Sequence, residues 1–173
     1  MEYGDKPWLL NWTMTESAPL RAMTDIEAAY IAGIVDGEGS FLVYMKRAGR
    51  SDRKYHRAVL KVANTDRALI DWMRVRIGGT VTQWQSKIAG RKRMYHLNIE
   101  GPGLLTLCER IGPLLIVKGE QARLTAEMQR TMSTKRTGHV IPADVIQKRE
   151  AYRLAIAEAK HGPARTWGGK EIK

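Results

Sequence analysis

The segment Ala28-Ala29-Tyr30-Ile31-Ala32-Gly33-Ile34-Val35-Asp36-Gly37-Glu38-Gly39-Ser40-Phe41 constrains this chain more than any other. It reads as a helix of small and apolar residues that ends on two acids. A helix C-terminus carries partial negative charge, so Lys, Arg or His are the usual residues there. Carboxylates at that end cost stability unless a cation sits beside them. Ala29, Gly33 and Gly37 fall four residues apart and share a face, with Ala28, Ala32 and Asp36 on the neighbouring stripe. Small residues at this spacing let two helix backbones approach closely. A glycine inside a helix costs about 0.5–1 kcal/mol relative to alanine, and close packing against another helix is the simplest offset. No second segment of the sequence carries a matching small-residue face. That favours the same helix of a second copy, about a two-fold axis, over an intrachain crossing.

The rest of the chain supplies the layers around this helix. Thr24 or Asp25 caps its start, Glu27 lies in its first turn, and Gly39 offers a permissive stop after about Gly37. From Ser40 the period changes to two: Phe41, Val43 and Met45 alternate with Ser40, Leu42, Tyr44 and Lys46, which predicts a strand. Residues 48–54 form a basic hairpin loop. Residues 56–63 return as a second strand, with Ala58, Leu60 and Val62 on one side and Arg57, Val59 and Lys61 on the other. Asn64-Thr65-Asp66 is a turn and cap before an amphipathic helix over 66–77, which Gly78-Gly79 ends. Residues 80–87 and 93–99 form a second hairpin across a basic loop, and helices follow over 104–111, 119–132 and 142–160.

This order predicts an α+β fold, one antiparallel four-stranded sheet with helices on one face. The other face is left open and carries Arg, Lys, Gln, Thr and Tyr. Such a face suits the DNA major groove, which admits a two-stranded ribbon. Residues 1–23 read as an N-terminal extension, 24–132 as the core domain, and 133–173 as a linker, a last helix and a tail. The last helix is expected to pack on its own domain, with backbone contacts to nucleic acid as the alternative.

The chain has 173 residues and a formal net charge of +11, with 43% hydrophobic residues. That composition is globular rather than disordered, and the charge points to a polyanion partner, nucleic acid first. A charge that serves only solubility is the alternative. The single cysteine, Cys108, excludes an internal disulfide and a Cys-based zinc site, and its apolar run predicts a buried, inert thiol. The four histidines have no metal-ligand spacing. No stretch approaches the ~20 apolar residues of a membrane span, and the N-terminus lacks a signal region. The expectation is a soluble, intracellular protein of an organelle or of a bacterial or phage cytoplasm.

Residues 30–39, YIAGIVDGEG, resemble the LAGLIDADG motif of the homing endonuclease family, and Ser40-Phe41 opens the first strand as in that family. The likeness runs from about residue 25 to residue 128. It includes the α-β-β-α-β-β-α order, the Asn64-Thr65-Asp66 turn and the Leu115-Ile116-Val117-Lys118 segment. The resemblance implies that Glu38, where many members have Asp, binds a catalytic divalent metal, Mg²⁺ with Ca²⁺ or Mn²⁺ as substitutes. It implies the Gly37 carbonyl as a further ligand, Lys118 as a catalytic lysine and Asn64 as an organiser of active-site water. The respective alternatives are a solvated Lys118 and an Asn64 that caps the following helix. Asp36 is expected to cap or to hydrogen-bond at the interface rather than bind metal. Single-motif members act as homodimers, so the resemblance implies a dimer through Ala29, Gly33, Asp36 and Gly37.

The expected activity is site-specific double-strand cleavage of a long pseudo-palindromic DNA site, leaving 3′ overhangs, in the homing of an intron or intein. The competing class is a non-catalytic nucleic-acid binder, an intron RNA maturase or a regulator of the same fold. DNA contacts are expected from Tyr44, Lys46, Tyr55, Arg57 and Lys61 on the first hairpin and from loop residues Arg50, Arg53 and Lys54. The second hairpin adds Thr82, Trp84, His96 and Asn98 with Arg91, Lys92 and Arg93, and Arg67 is a further candidate for a phosphate. A one-residue slip would replace Thr82 and Trp84 by Gln83 and Gln85.

Overall fold

The structure, a computed structural model, describes residues 22–47, 54–132, 141–161, 166–167 and 170–171. The expectations placed on the N-terminal extension, on Arg50 and Arg53, on the linker and on most of the tail lie outside the described residues. So do those placed on the side chains of Lys46 and Lys54.

Helix α1 (Asp25–Glu38) starts at Thr24, whose hydroxyl accepts the Glu27 amide while the Glu27 carboxylate accepts the Thr24 amide. This reciprocal cap satisfies two of the donors orphaned at a helix start. The Glu27 carboxylate also pairs with Arg76 at 2.7 Å. Ala28, Ile31, Ala32 and Val35, at helical spacing, form the buried face. Strand β1 (Gly39–Arg47) follows without a loop and pairs antiparallel with β2 (Lys54–Asn64), Phe41 opposite Leu60 and Tyr44 opposite Arg57.

The junction into β1 departs from the expected permissive stop. Gly39 has an ordinary extended backbone, with φ −81°. It must be glycine because a Cβ there would lie 2.6 Å from the Val35 carbonyl oxygen and 2.9 Å from the Val35 Cα. Close approach, rather than conformational freedom, selects it.

Asn64 and Asp66 divide the turn after β2. The Asn64 side chain accepts the Asp66 amide at 2.8 Å, and Asp66 accepts the Leu69 amide to cap α2 (Arg67–Ile77). Past Gly78 and Gly79, both at positive φ, β3 (Thr80–Trp84) pairs with β4 (Met94–Glu100). The sheet order is β1-β2-β4-β3, antiparallel throughout. Helices α3 (Pro102–Ile111), α4 (Gly119–Arg130) and α5 (Ala143–His161) complete the layer, with a 3₁₀ turn over Gly112–Leu114 between the first two. A two-stranded ribbon, β5 (Thr166–Trp167) with β6 (Lys170–Glu171), follows α5.

Phe41, Leu60, Val62, Leu97 and Ile99 project from the sheet into one core with Ile31, Val35, Ile70, Met73, Leu104, Leu107 and Met128 from the helices. The helices therefore occupy one face of an α+β sheet and leave the other open. Cys108 belongs to this core, and burial pushes its thiol up to about 12, so it stays protonated. Among the described residues no helix is long and apolar enough to cross a membrane.

Candidate active site and nucleic-acid interface

The two acids that end α1 face different surroundings. The Asp36 carboxylate turns into its own chain and accepts the backbone amides of Ile116, Val117 and Lys118 at 2.7, 3.2 and 3.0 Å. It thereby clamps the loop before α4 to the end of α1, a capping role. Glu38, two residues on, is exposed.

Lys118, the N-cap residue of α4, returns the contact. Its Nζ donates to the carbonyl oxygens of Val35, at 3.0 Å, and of Asp36. These are carbonyls of the last turn of α1, which carries no basic residue of its own. Lys118 is thus the cation that the terminal acids call for. Burial lowers the pKa of its ammonium below the usual lysine range, with Lys160 adding to that and Asp36 and Glu38 opposing it.

The stripe Ala29, Gly33 and Gly37 is exposed, and a Cβ at Gly33 or Gly37 would meet nothing within 4 Å. No element of this chain crosses α1 there among the described residues, so the expected intrachain alternative is absent. Around the stripe lie exposed Ile26, Tyr30, Ile116 and Val117, the last two on the clamped loop; Ile116 is 93% exposed. The sequence reading missed these two, which show as adjacent apolar residues outside any helix or strand.

The sheet register fixes the open face. Lys61 lies opposite Ser40 and Asn98, and Thr82 opposite His96. Thr82 and Trp84 therefore stand with His96, Asn98 and Lys61, while Gln83 lies opposite Tyr95 on the helix face, which removes the slipped register. Tyr44 and Trp84 are 43% and 55% exposed on this face. Tyr55 alternates with Arg57 along β2 and shares it. Burial and Lys61 lower the pKa of His96, which favours its neutral ring.

Two features of this face were missed. Arg57 is ion-paired with Glu100, so part of its charge is already used. Val59, between Leu42 and Glu100 across the strands, is buried. Arg91, Lys92 and Arg93 are exposed in the loop between β3 and β4, where Arg93 donates to Gln85. Arg67 stands apart from this face. Its guanidinium pairs with Asp71 at 3.1 Å and lies over the Tyr95 ring on the helix side.

The donor set bears on a metal. Among the described residues no group of three or more His, Cys, Asp and Glu could cage an ion. An exposed carboxylate next to a helix-terminal carbonyl suits Mg²⁺, which keeps several waters and takes one or two carboxylates plus phosphate oxygens. Glu38 and the Gly37 carbonyl are donors of the kind such a partial site uses.

No protein-family model and no characterised protein sequence matches the chain. Solved structures do. The homing endonuclease I-CvuI, in complex with the I-CreI target in the presence of 2 mM Mg, aligns over 82% of this chain and 86% of its own, with TM-score 0.63 and 19% identity. The archaeal intron-encoded homing endonuclease I-Vdi141I, complexed with DNA, aligns over 83% and 89%, with TM-score 0.64 and 17% identity. For the LAGLIDADG homing endonuclease I-GzeII, in complex with its DNA target, the figures are 73% of this chain but 43% of that one, with TM-score 0.57 and 16% identity. The chain has the LAGLIDADG homing-endonuclease fold.

Proposed function

We propose that this protein is a homodimeric, divalent-metal-dependent, site-specific DNA endonuclease. One observation carries the proposal: an exposed stripe of small residues runs along α1 to an exposed carboxylate, with a lysine locked onto the same helix end and a basic sheet face beside it. The solved neighbours are homing endonucleases bound to DNA, and the aligned part of I-GzeII is 43% of that chain. A chain with one motif would pair two copies through Ala29, Gly33 and Gly37. The pair carries twice the charge of +11 and places two Glu38 carboxylates at the base of the paired helices.

Each copy then serves one strand. Glu38 and the Gly37 carbonyl would hold Mg²⁺, which when bound would activate a water and neutralise phosphate charge. Lys118, held by the Val35 and Asp36 carbonyls, places its ammonium beside Glu38, where charge develops on the phosphate. Asn64 organises water at the same end of the sheet. Tyr44, Arg57, Lys61, Thr82, Trp84, His96 and Asn98 read or grip the groove, and Arg91, Lys92 and Arg93 take backbone phosphates. Cutting near the minor groove of a long pseudo-palindromic site leaves 3′ overhangs, in the homing of an intron or intein.

The test is incubation of the protein and Mg²⁺ with a randomised duplex library, followed by sequencing of cut ends. The expected result is cutting at one related set of sites and none by Glu38→Gln. Binding without cutting assigns the chain to the non-catalytic binders. Cutting by Glu38→Gln at the wild-type rate removes Glu38 from the metal.

A further inference from the structure

We infer that Lys160 is a phosphate-contacting cation of the cleavage site, carried there by the C-terminal helix; this rests on the function proposed above. Lys160 lies in the last turn of α5, exposed, and its Nζ donates to the Ser40 hydroxyl at 3.0 Å. Ser40 is the second residue after Glu38. By the register it alternates with Phe41 and so stands on the open face with Leu42 and Tyr44. The ammonium is therefore fixed where α1, β1 and the open face meet.

A second ammonium occupies the same corner. Lys118 sits on the end of α1, and the Lys160 charge is felt there. Ser40 is neutral, and among the described residues Lys160 has no carboxylate partner. Like charges brought together repel, so a polyanion crossing this corner is attracted by both. A phosphodiester backbone running over the open sheet to Glu38 passes there. Ser40 takes one of the three ammonium donors, which leaves two for phosphate oxygens.

Docking accounts for the rest of α5. Ile156 is buried, and Glu150 bonds His56 of β2 at 2.8 Å. It does not call for a lysine reaching a hydroxyl at the edge of the open face.

Full-length K160M, K160R and K148M are compared with wild type for anisotropy of a short random-sequence duplex, across salt and without divalent metal. Losing one phosphate contact lowers the slope of log K against log salt by about 0.9, or about 1.8 for two copies. K160M is expected to lose this, and K160R to keep the wild-type slope. K148M, about 18 Å back along the same helix, is expected to keep it too. The inference is overturned if K160M keeps the wild-type slope, if K160R loses as much as K160M, or if K148M does. Should K160M fail to fold, K160Q carries the same test. A wild type that fails to bind duplex at all sinks the proposed function itself; a wild type that binds, matched by K160M, sinks only Lys160.

Discussion

Removing the Asp36 carboxylate is the sharpest test of the junction between α1 and the loop before α4. Asp36 accepts three backbone amides, at 2.7, 3.2 and 3.0 Å. A hydrogen bond to a charged group contributes about 1.5–3 kcal/mol when its partners are shielded from water. Ile116 and Val117 are exposed, so water replaces the carboxylate at their amides, and those two count for about 0.5–1 kcal/mol each. The amide of half-buried Lys118 counts for about 1.5 kcal/mol. Asp36→Ala is therefore expected to cost about 2.5–3.5 kcal/mol, and Asp36→Asn, which keeps one accepting oxygen without charge, about 1–2 kcal/mol. Equilibrium unfolding in urea measures this at one fixed protein concentration, because dissociation of a dimer is linked to unfolding. The m value should stay constant while the midpoint falls. A loss below about 0.5 kcal/mol for Asp36→Ala would refute the reasoning, since the three amides would then be solvated without cost.

Other substitutions probe separate parts of the molecule. Gly33→Ala adds a methyl to open space, so in the monomer it should gain about 0.5–1 kcal/mol of helix stability. In a dimer packed through this stripe the same methyl meets the second copy. Sedimentation should show weakened association with a raised monomer melting temperature, and undiminished association would exclude the stripe as the seam. Gly39→Ala should cost about 1–3 kcal/mol, because its methyl would lie 2.6 Å from the Val35 carbonyl oxygen. An unchanged melting temperature would show that the junction can yield. Arg153, and after it His56, hold the Glu150 carboxyl down at about 2, against an ordinary 4.5. A carboxyl with a depressed folded pKa stabilises fully above the unfolded value and loses this as pH falls through the folded one. Urea unfolding of wild type and Glu150→Gln should therefore differ at neutral pH and converge between pH 4.5 and about 2; a constant gap would refute the pairing.

What could be read from the sequence follows the range of the interactions involved. The helical spacing of Ala29, Gly33 and Gly37 and the two-residue period from Ser40 are local, and both the α1 face and the β1 register follow from them. Carboxylates at the end of α1 imply a cation, but nothing local says which of 29 lysines and arginines supplies it. Lys118, 83 positions beyond Val35, was reached only through a family likeness. The last helix carries nucleic-acid contacts as an alternative in the sequence, but nothing there singles out Lys160, since its place at Ser40 depends on how α5 docks through Ile156 and Glu150. Gly39 was legible as a glycine position but for the wrong reason, because a close approach across a helix-to-strand corner is invisible until both elements are placed.

One consequence joins stability to chemistry at this corner. The lysine that offsets the negative end of α1 is the same lysine that the proposed reaction needs beside Glu38, so the two roles cannot be tuned separately. Shortening or neutralising Lys118 strips the cation from the Val35 and Asp36 carbonyls as well as from the phosphate. A loss of cleavage in a Lys118 variant is thus evidence for chemistry only if the clamp at Asp36 survives. Hydrogen-exchange protection of the Ile116 and Val117 amides reports that clamp directly, and Lys118→Met should leave it in place, because those bonds end on the Asp36 carboxylate rather than on the ammonium.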